Sequence, residues 1–128
     1  MTGHGGCTGM GEQRPDTVLA AERDATSRRA ESLQRQIGEL ADQQALTTHD
    51  DEHDPEGVTI GYQRAQLQGL LAGARAELDA IDRAAQRLRD GTYGTCIRCG
   101  ARIGPQRLAA LPATPTCIDC ARRGDRRR

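Results

Sequence analysis

The sequence predicts an all-α protein in which a long antiparallel coiled-coil hairpin is followed by a small four-cysteine zinc module. Three observations support this fold class. The 128-residue chain has no Phe or Trp and only 2 Tyr, which argues against a thick globular core. Two stretches carry apolar residues at alternating steps of four and three. Four of the 5 cysteines form two CxxC pairs near the C-terminus.

The two periodic stretches predict the two arms of the hairpin, over residues 17–48 and 60–88. The stripe of the first arm consists of Leu19, Thr26, Ala30, Leu33, Ile37, Leu40 and Gln44. The stripe of the second arm consists of Ile60, Arg64, Leu67, Leu71, Ala74, Leu78, Ile81, Ala85 and Leu88. Each arm has about 30 residues, which corresponds to a helix of about 45 Å at 1.5 Å per residue. Because the connection is short, the arms should fold back on each other and form a hairpin over residues 16–90.

The segment THDDEHDPEG connects the arms and predicts where the second helix begins. Asp54 can cap the helix, Pro55 suits the first helical position, and Glu56 complements the positive end of the helix dipole. The second helix should end at RDGTYG, where Gly91 can adopt the left-handed conformation.

Both ends of the chain are predicted to be tails. Residues 1–15 are rich in Gly and lack periodicity, so we expect a disordered segment in which Cys7 and His4 have no role. Residues 122–128 contain five arginines and Gly124, which predicts a basic, solvated C-terminal tail rather than a terminal helix.

The four paired cysteines, Cys96, Cys99, Cys117 and Cys120, predict a site for one Zn²⁺ ion. Seventeen residues separate the pairs, and Gly100 lets the backbone turn closely after the first one. Four sulfur ligands leave no open coordination position, so the ion should be structural rather than catalytic. Two disulfides, an iron–sulfur cluster or a redox dithiol remain alternatives at this point.

The composition excludes several functional classes. No run of 18 apolar residues exists, so the sequence predicts no membrane span, and the N-terminus lacks a signal-peptide pattern. We therefore expect a cytoplasmic protein with reduced thiols. No nucleophile–base pair, phosphate-binding Gly loop or open metal site is evident, which argues against an enzyme.

The segment GTYGTCIRCGARIGPQRLAALPATPTCIDCA resembles the DksA/TraR-type C4 zinc finger. The matching residues are Gly91, Tyr93, Gly94, Cys96, Cys99, Gly100, Ile103, Arg107, Leu108, Ala110, Pro112, Cys117 and Cys120. The resemblance assigns residues 91–121 to the zinc finger and extends to the hairpin before it. It implies a bacterial regulator that binds RNA polymerase through the secondary channel, in some members together with ppGpp.

The resemblance also assigns a role to the hairpin tip, near residues 49–57. Acidic residues at the tip of family members act near the polymerase active site. In this chain, the corresponding carboxylates are Asp50, Asp51, Glu52, Asp54 and Glu56. The family pattern D-x-x-D-x-A fits Asp51 and Asp54, whereas Glu56 stands where the pattern has Ala. His49 and His53 flank these acids, and we expect both to be exposed rather than to bind a metal.

Two other functions compete with polymerase binding. A nucleic-acid-binding zinc protein would use Arg98, Arg102, Arg107 and the terminal arginines, because phosphate contacts need only positive charge. The lack of aromatic residues for base stacking disfavours the recognition of single strands, and we do not expect direct DNA binding. A coiled-coil adaptor would dimerise, whereas the two stripes of this chain can satisfy each other and predict a monomer.

Overall fold

The computed structural model describes residues 14–47 and 55–127. These residues form four helices: α1 (Pro15–Thr47), α2 (Pro55–Asp90), α3 (Pro105–Ala110) and α4 (Ile118–Arg127). Within the two described ranges there is no strand, and Thr95 and Arg102 form an isolated antiparallel bridge. The predicted all-α class, with two long helices that pack together and a cysteine cluster, is confirmed.

The ends of the long helices follow from local sequence. α1 and α2 both begin at a proline, whose missing N–H would have no partner in the first turn. α2 ends in a Schellman motif at Gly91, whose φ is +84°. The amide of Gly91 donates to the carbonyl of Leu88 at 3.3 Å, and the amide of Thr92 donates to the carbonyl of Arg87 at 2.9 Å. The predicted start at Pro55 and the predicted left-handed Gly91 are therefore confirmed.

The chain divides into two compact units, and both long helices contribute residues to each of them. The zinc unit contains the described residues 14–23 and 79–127, and the hairpin unit contains 24–47 and 55–78. The segment boundaries predicted from sequence, at residues 15, 90 and 121, stay a prediction.

The hairpin unit is held by the predicted stripes of α1 and α2. Ala30 and Leu33 of α1 are buried against Leu71 and Ala74 of α2. Ile37 and Leu67 pack against this cluster and are partly buried. An exposed ion pair also connects the two antiparallel helices, with 2.9 Å between Nη2 of Arg29 and Oε1 of Glu77. Because only one narrow stripe of each helix is buried, small aliphatic side chains are sufficient.

Three polar residues, Thr26, Gln44 and Arg64, occupy positions in the stripes of the hairpin unit. Thr26 is almost completely buried, with 1% of its surface exposed. Arg64 is half-buried, and its Nη1 donates to the Oε1 of Gln44 at 2.8 Å. Polar pairs at such positions favour one register of a coiled coil over its alternatives. Arg64 therefore has a partner inside the seam.

The zinc unit packs the other ends of the long helices around a second cluster. Leu19 of α1 is buried with Ile81 and Ala84 of α2. The strict heptad predicts Ala85 in the seam, yet Ala84 is fully buried and Ala85 only partly. The physical reason is that Tyr93 and Ala113 also pack against this cluster, which widens the buried face of α2.

An ion pair between Arg23 and Asp82 links α1 and α2 within the zinc unit, with 2.8 Å between Nε and Oδ1. The hydrogen bond from Arg23 holds the pKa of the Asp82 carboxyl below its usual range. Both side chains are about half exposed, so the pair contributes little to stability.

The C-terminal segment differs from its prediction. Residues 122–127, expected to be a basic tail, are helical as part of α4. A Cβ at Gly124 would lie 2.9 Å from Nη1 of Arg98. Gly124 therefore leaves room for the Arg98 side chain beside α4, where we had expected it to prevent a helix.

Neither α1, α2, α3 nor α4 is long and apolar enough to cross a membrane, as judged over the part of the chain that the structure describes.

We predict that Ile81→Ala destabilises the fold by about 2–5 kcal/mol, because truncation of a buried Ile leaves a cavity. Ile81 is only 2% exposed, whereas Leu70 on the same helix is 61% exposed. Leu70→Ala is therefore the control and should change the free energy of unfolding by no more than about 0.5 kcal/mol. Thermal and urea denaturation compare the two variants, and equal losses would contradict the cluster described here.

Candidate metal centre

The first CxxC pair lies on a tight turn after α2. Ile97 and Arg98, between the two cysteines, form a turn in which the chain reverses direction. Gly100 follows this turn with a φ of +79°. The amide of Gly100 donates to the carbonyl of Cys96 at 3.0 Å, and the amide of Cys96 donates to the carbonyl of Ala101 at 2.8 Å. A side chain at Gly100 would be strained at this φ, so Gly makes the turn possible.

The second pair lies at the start of α4. Cys117 immediately precedes this helix, and Cys120 lies in its first turn. The amide of Ala121 donates to the carbonyl of Cys117 at 3.0 Å. The amide of Ile97 donates to the carbonyl of Pro115 at 2.9 Å, which holds the segment before α4 beside the first turn.

These two turns bring all four sulfur atoms together. The Sγ atoms of Cys96, Cys99, Cys117 and Cys120 all lie within 4.8 Å of one another. Cys99 Sγ and Cys117 Sγ are 3.8 Å apart. Zn–S bonds of about 2.3 Å in a tetrahedron place two sulfurs about 3.8 Å apart, so this spacing suits one Zn²⁺ ion.

The same distances argue against disulfides. A disulfide requires an S–S distance of about 2.05 Å, and all four cysteines are free thiols. Four sulfur ligands also complete the coordination of Zn²⁺, so no position remains for water or a substrate. The donor set therefore fits a structural ion.

The four thiols differ in their surroundings. Cys96 and Cys120 are buried, Cys117 is half-buried and Cys99 is exposed. Burial raises the pKa of Cys96, but the backbone N–H groups of Cys99, Cys117 and Arg98 outweigh it and lower the pKa to about 6. Burial and hydrogen bonds with the other three sulfurs raise the pKa of Cys120 to about 11. Metal binding at neutral pH must therefore release protons from this cluster.

The guanidinium of Arg123 and the backbone amide of Arg98 donate hydrogen bonds to the sulfurs. Nη2 of Arg123 donates to Sγ of Cys120 at 3.3 Å, and the amide of Arg98 donates to Sγ of Cys96 at 3.4 Å. The bond to Cys120 raises the pKa of Arg123. Sequence reasoning missed this role, since it placed Arg123 in a solvated tail. The signal was the i, i+3 spacing of Cys120 and Arg123 on one helix.

The metal site is also most of the module's own core. The buried residues of its cluster are Cys96, Ile103 and Cys120, with Leu108 and Cys117 packed against them. Two of the three buried residues are thus metal ligands. Without an ion, this cluster offers too little apolar area to hold the turns together.

Tyr93 and Arg107 fix the module within the zinc unit. Tyr93 packs against the Leu19, Ile81 and Ala84 cluster, and its hydroxyl donates to the carbonyl of Pro112 at 2.8 Å. Burial raises the pKa of this hydroxyl. Nε of Arg107 donates to the carbonyl of Thr116 at 3.0 Å. Arg107, a candidate for phosphate contacts in the sequence, is therefore engaged in an internal hydrogen bond.

The predicted tip residues cannot be placed relative to this centre. Asp50, Asp51, Glu52 and Asp54, together with His49 and His53, lie outside the described residues. Glu56 lies in the first turn of α2, and its side chain is likewise outside the description. The same holds for Cys7 and His4. The roles expected of these residues stay predictions.

Comparison with known proteins tests whether this chain belongs to the family that its sequence resembles. Residues 91–125 match the profile of the prokaryotic dksA/traR C4-type zinc finger. An uncharacterized protein from Aquifex aeolicus is 35% identical over 100 residues, which cover 77% of this chain and 69% of the relative.

This chain belongs to the DksA/TraR family of C4-type zinc finger proteins.

Two further similarities extend the family likeness. The structure of transcription factor DksA2 from Pseudomonas aeruginosa matches with a TM-score of 0.51 and 28% identity. That match covers 85% of this chain and 84% of the DksA2 chain. The RNA polymerase-binding transcription factor DksA of Escherichia coli is 37% identical over 46 residues, which cover 36% of this chain and 30% of that protein. The described cysteine cluster together with the family assigns one structural zinc ion to this DksA/TraR protein.

We predict that Cys96→Ser lowers the zinc content well below one ion per chain and exposes the module to proteases, because a sulfur ligand is lost from a buried site. Cys7→Ser is the control, since Cys7 belongs to neither CxxC pair. Elemental analysis and limited proteolysis of both variants measure the effect. Full zinc occupancy and unchanged protease resistance in Cys96→Ser would contradict the assignment.

Proposed function

We propose that this protein regulates transcription by binding bacterial RNA polymerase through the secondary channel. The observation that carries the proposal is the combination of a four-cysteine cluster with an antiparallel pair of long helices, in one chain of the DksA/TraR family. The relative from Escherichia coli is named for RNA polymerase binding, and the Pseudomonas aeruginosa relative is named a transcription factor.

The physical basis of the proposal is the hairpin unit. Two packed helices, each about 10–12 Å across with side chains, form a slender body that suits a narrow pore. Residues 50–56, at the connection between them, carry five carboxylates and no Lys or Arg. Such a negative end can interact with Mg²⁺ or with basic groups near a polymerase active site. We therefore infer that Asp50, Asp51, Glu52, Asp54 and Glu56 face the active site.

We further propose that the protein is not an enzyme and acts as a monomer, alone or jointly with ppGpp. Four sulfur ligands close the metal site to substrates. The two apolar stripes of the hairpin unit satisfy each other within one chain. The proposal places the protein in the cytoplasm, where polymerase works and thiols stay reduced.

Direct DNA binding is the weaker alternative, for reasons found in the zinc unit. Arg107 donates to the carbonyl of Thr116, and Arg123 donates to Sγ of Cys120. These arginines are engaged within the module, which leaves fewer of their N–H donors free to reach phosphates. Electrophoretic mobility shifts at low and moderate salt separate the two functions, because phosphate contacts weaken as salt rises.

We expect the double variant Asp51→Asn, Asp54→Asn to abolish the effect on transcription while it still co-elutes with core RNA polymerase. The substitutions keep the size of both side chains and remove their charge. The matched control is Asp24→Asn, Asp42→Asn, which removes two exposed carboxylates from α1. In vitro transcription and gel filtration measure the two properties.

Loss of the transcriptional effect in the control as well would reject the assignment to the tip. A wild-type protein that fails to co-elute with polymerase would reject polymerase binding itself.

A further inference from the structure

Charge is distributed very unequally between the two helices of the hairpin unit. The charged residues of α1 in this unit are all exposed: Asp24, Arg28, Arg29, Glu31, Arg35, Glu39 and Asp42. Residues 57–74 of α2 include one charged residue, Arg64, and that side chain bonds Gln44 inside the seam. Arg75 and Glu77 follow at the end of the unit and lie about 100° to either side of the outer face described below. A solvent-exposed helix face normally carries charged and polar residues, so this neutral stretch requires an explanation.

The neutral stretch contains a second heptad stripe, opposite the first. Alternating steps of four and three connect Val58, Tyr62, Ala65, Gly69, Ala72 and Ala76. At 100° per residue, this outer face of α2 points away from the seam of Ile60, Leu71 and Ala74. All six residues are exposed, including Val58 at 74% and Tyr62 at 70%. A helix with two such stripes is expected to pack against two helices, and α1 accounts for one of them.

The chemistry of the outer face indicates what covers it. The absence of basic residues from the stripe excludes nucleic acid and anionic lipid, since both are recognised through positive charge. Small residues such as Gly69 and Ala72 allow the backbone of a partner helix to approach closely. The face therefore suits an uncharged helix on the surface of another protein.

The size of the outer face argues against a second copy of this chain. Residues 58–76 span about 27 Å at 1.5 Å per residue, and a helix is about 10 Å wide. The face thus offers about 270 Å², well below the roughly 800 Å² per partner that a stable dimer buries. A channel that surrounds the hairpin unit contacts its other faces as well, so its wall can use a face of this size.

We propose that the outer face of α2 packs against an uncharged helix of RNA polymerase when the hairpin unit enters the secondary channel. This inference rests on the function proposed above and adds an orientation to it. The neutral face of α2 lies against the polymerase wall, and the charged face of α1 lies toward water.

Three glycines provide a matched test. A Cβ added at Gly69 or Gly73 of α2, or at Gly38 of α1, meets nothing within 4 Å. Substitution of each by Arg raises helix propensity and should leave the fold intact. Gly69→Arg and Gly73→Arg place a charge and a long side chain on or beside the outer face. Gly38→Arg makes the same change among the charged residues of α1.

The measurement is a competition assay with core RNA polymerase, in which each variant displaces a labelled wild-type protein. We expect Gly69→Arg and Gly73→Arg to weaken binding at least about tenfold, because an unpaired charge would be buried. Gly38→Arg should bind within about twofold of wild type, and Gly69→Ala should also bind normally since a methyl group fits a close helix contact.

Wild-type affinity in Gly69→Arg and Gly73→Arg would overturn the assignment of the face while polymerase binding stands. Equal weakening in Gly38→Arg would also overturn it. A wild-type dimer in sedimentation equilibrium that Gly69→Arg dissociates would show that a second copy covers the face, against the inference. Absence of polymerase binding by the wild-type protein would refute the proposed function and this orientation together.

Discussion

The convergence of four sulfur atoms on one ion is the constraint on which the zinc unit depends. Its own buried cluster contains Cys96, Ile103 and Cys120, so the ligands are also the core. Once the turns at Cys96 and Cys120 are held, Tyr93 can pack against Leu19 and Ile81 and bond Pro112. The module thereby adds apolar contacts to ends of α1 and α2 that would otherwise be open to water. We therefore expect the metal to stabilise helix ends that lie outside the zinc finger itself.

Hydrogen-bond donors around the metal centre compensate part of its negative charge. Four thiolates and one Zn²⁺ carry a net charge of −2, and partly buried negative charge is unfavourable without donors. Arg123 and the amide of Arg98 donate to sulfur, and Gly124 leaves space for the Arg98 side chain. The terminal arginines that suggested nucleic acid in the sequence therefore include at least one that serves the metal centre. In the hairpin unit, by contrast, exposed charge is concentrated on α1, and the stripe on the outer face of α2, from Val58 to Ala76, contains no charged residue.

Features set by local spacing could be predicted from the sequence. The heptad stripes identified Leu33 and Leu71, the pattern Asp-Pro-Glu identified the start of α2, and the CxxC spacing identified the metal site. Features that depend on tertiary contacts could not. The burial of Ala84 needs Tyr93 and Ala113 from the zinc module. Gly124 lies beside the Arg98 side chain, which is distant in sequence, so the helix around Gly124 could not be read from local spacing. Arg107 and Arg123 bond the carbonyl of Thr116 and Sγ of Cys120, which the fold brings close to them.

Amide hydrogen exchange with and without zinc tests most directly the claim that the metal organises the helix ends. The amides of Cys96, Ile97 and Ile103 bond the carbonyls of Ala101, Pro115 and Gly94, so they should be protected in the zinc-bound protein. After complete removal of zinc, verified by elemental analysis, we expect these amides to lose protection and residues 81–88 to exchange faster. Unchanged protection of both regions in the metal-free protein would contradict the account.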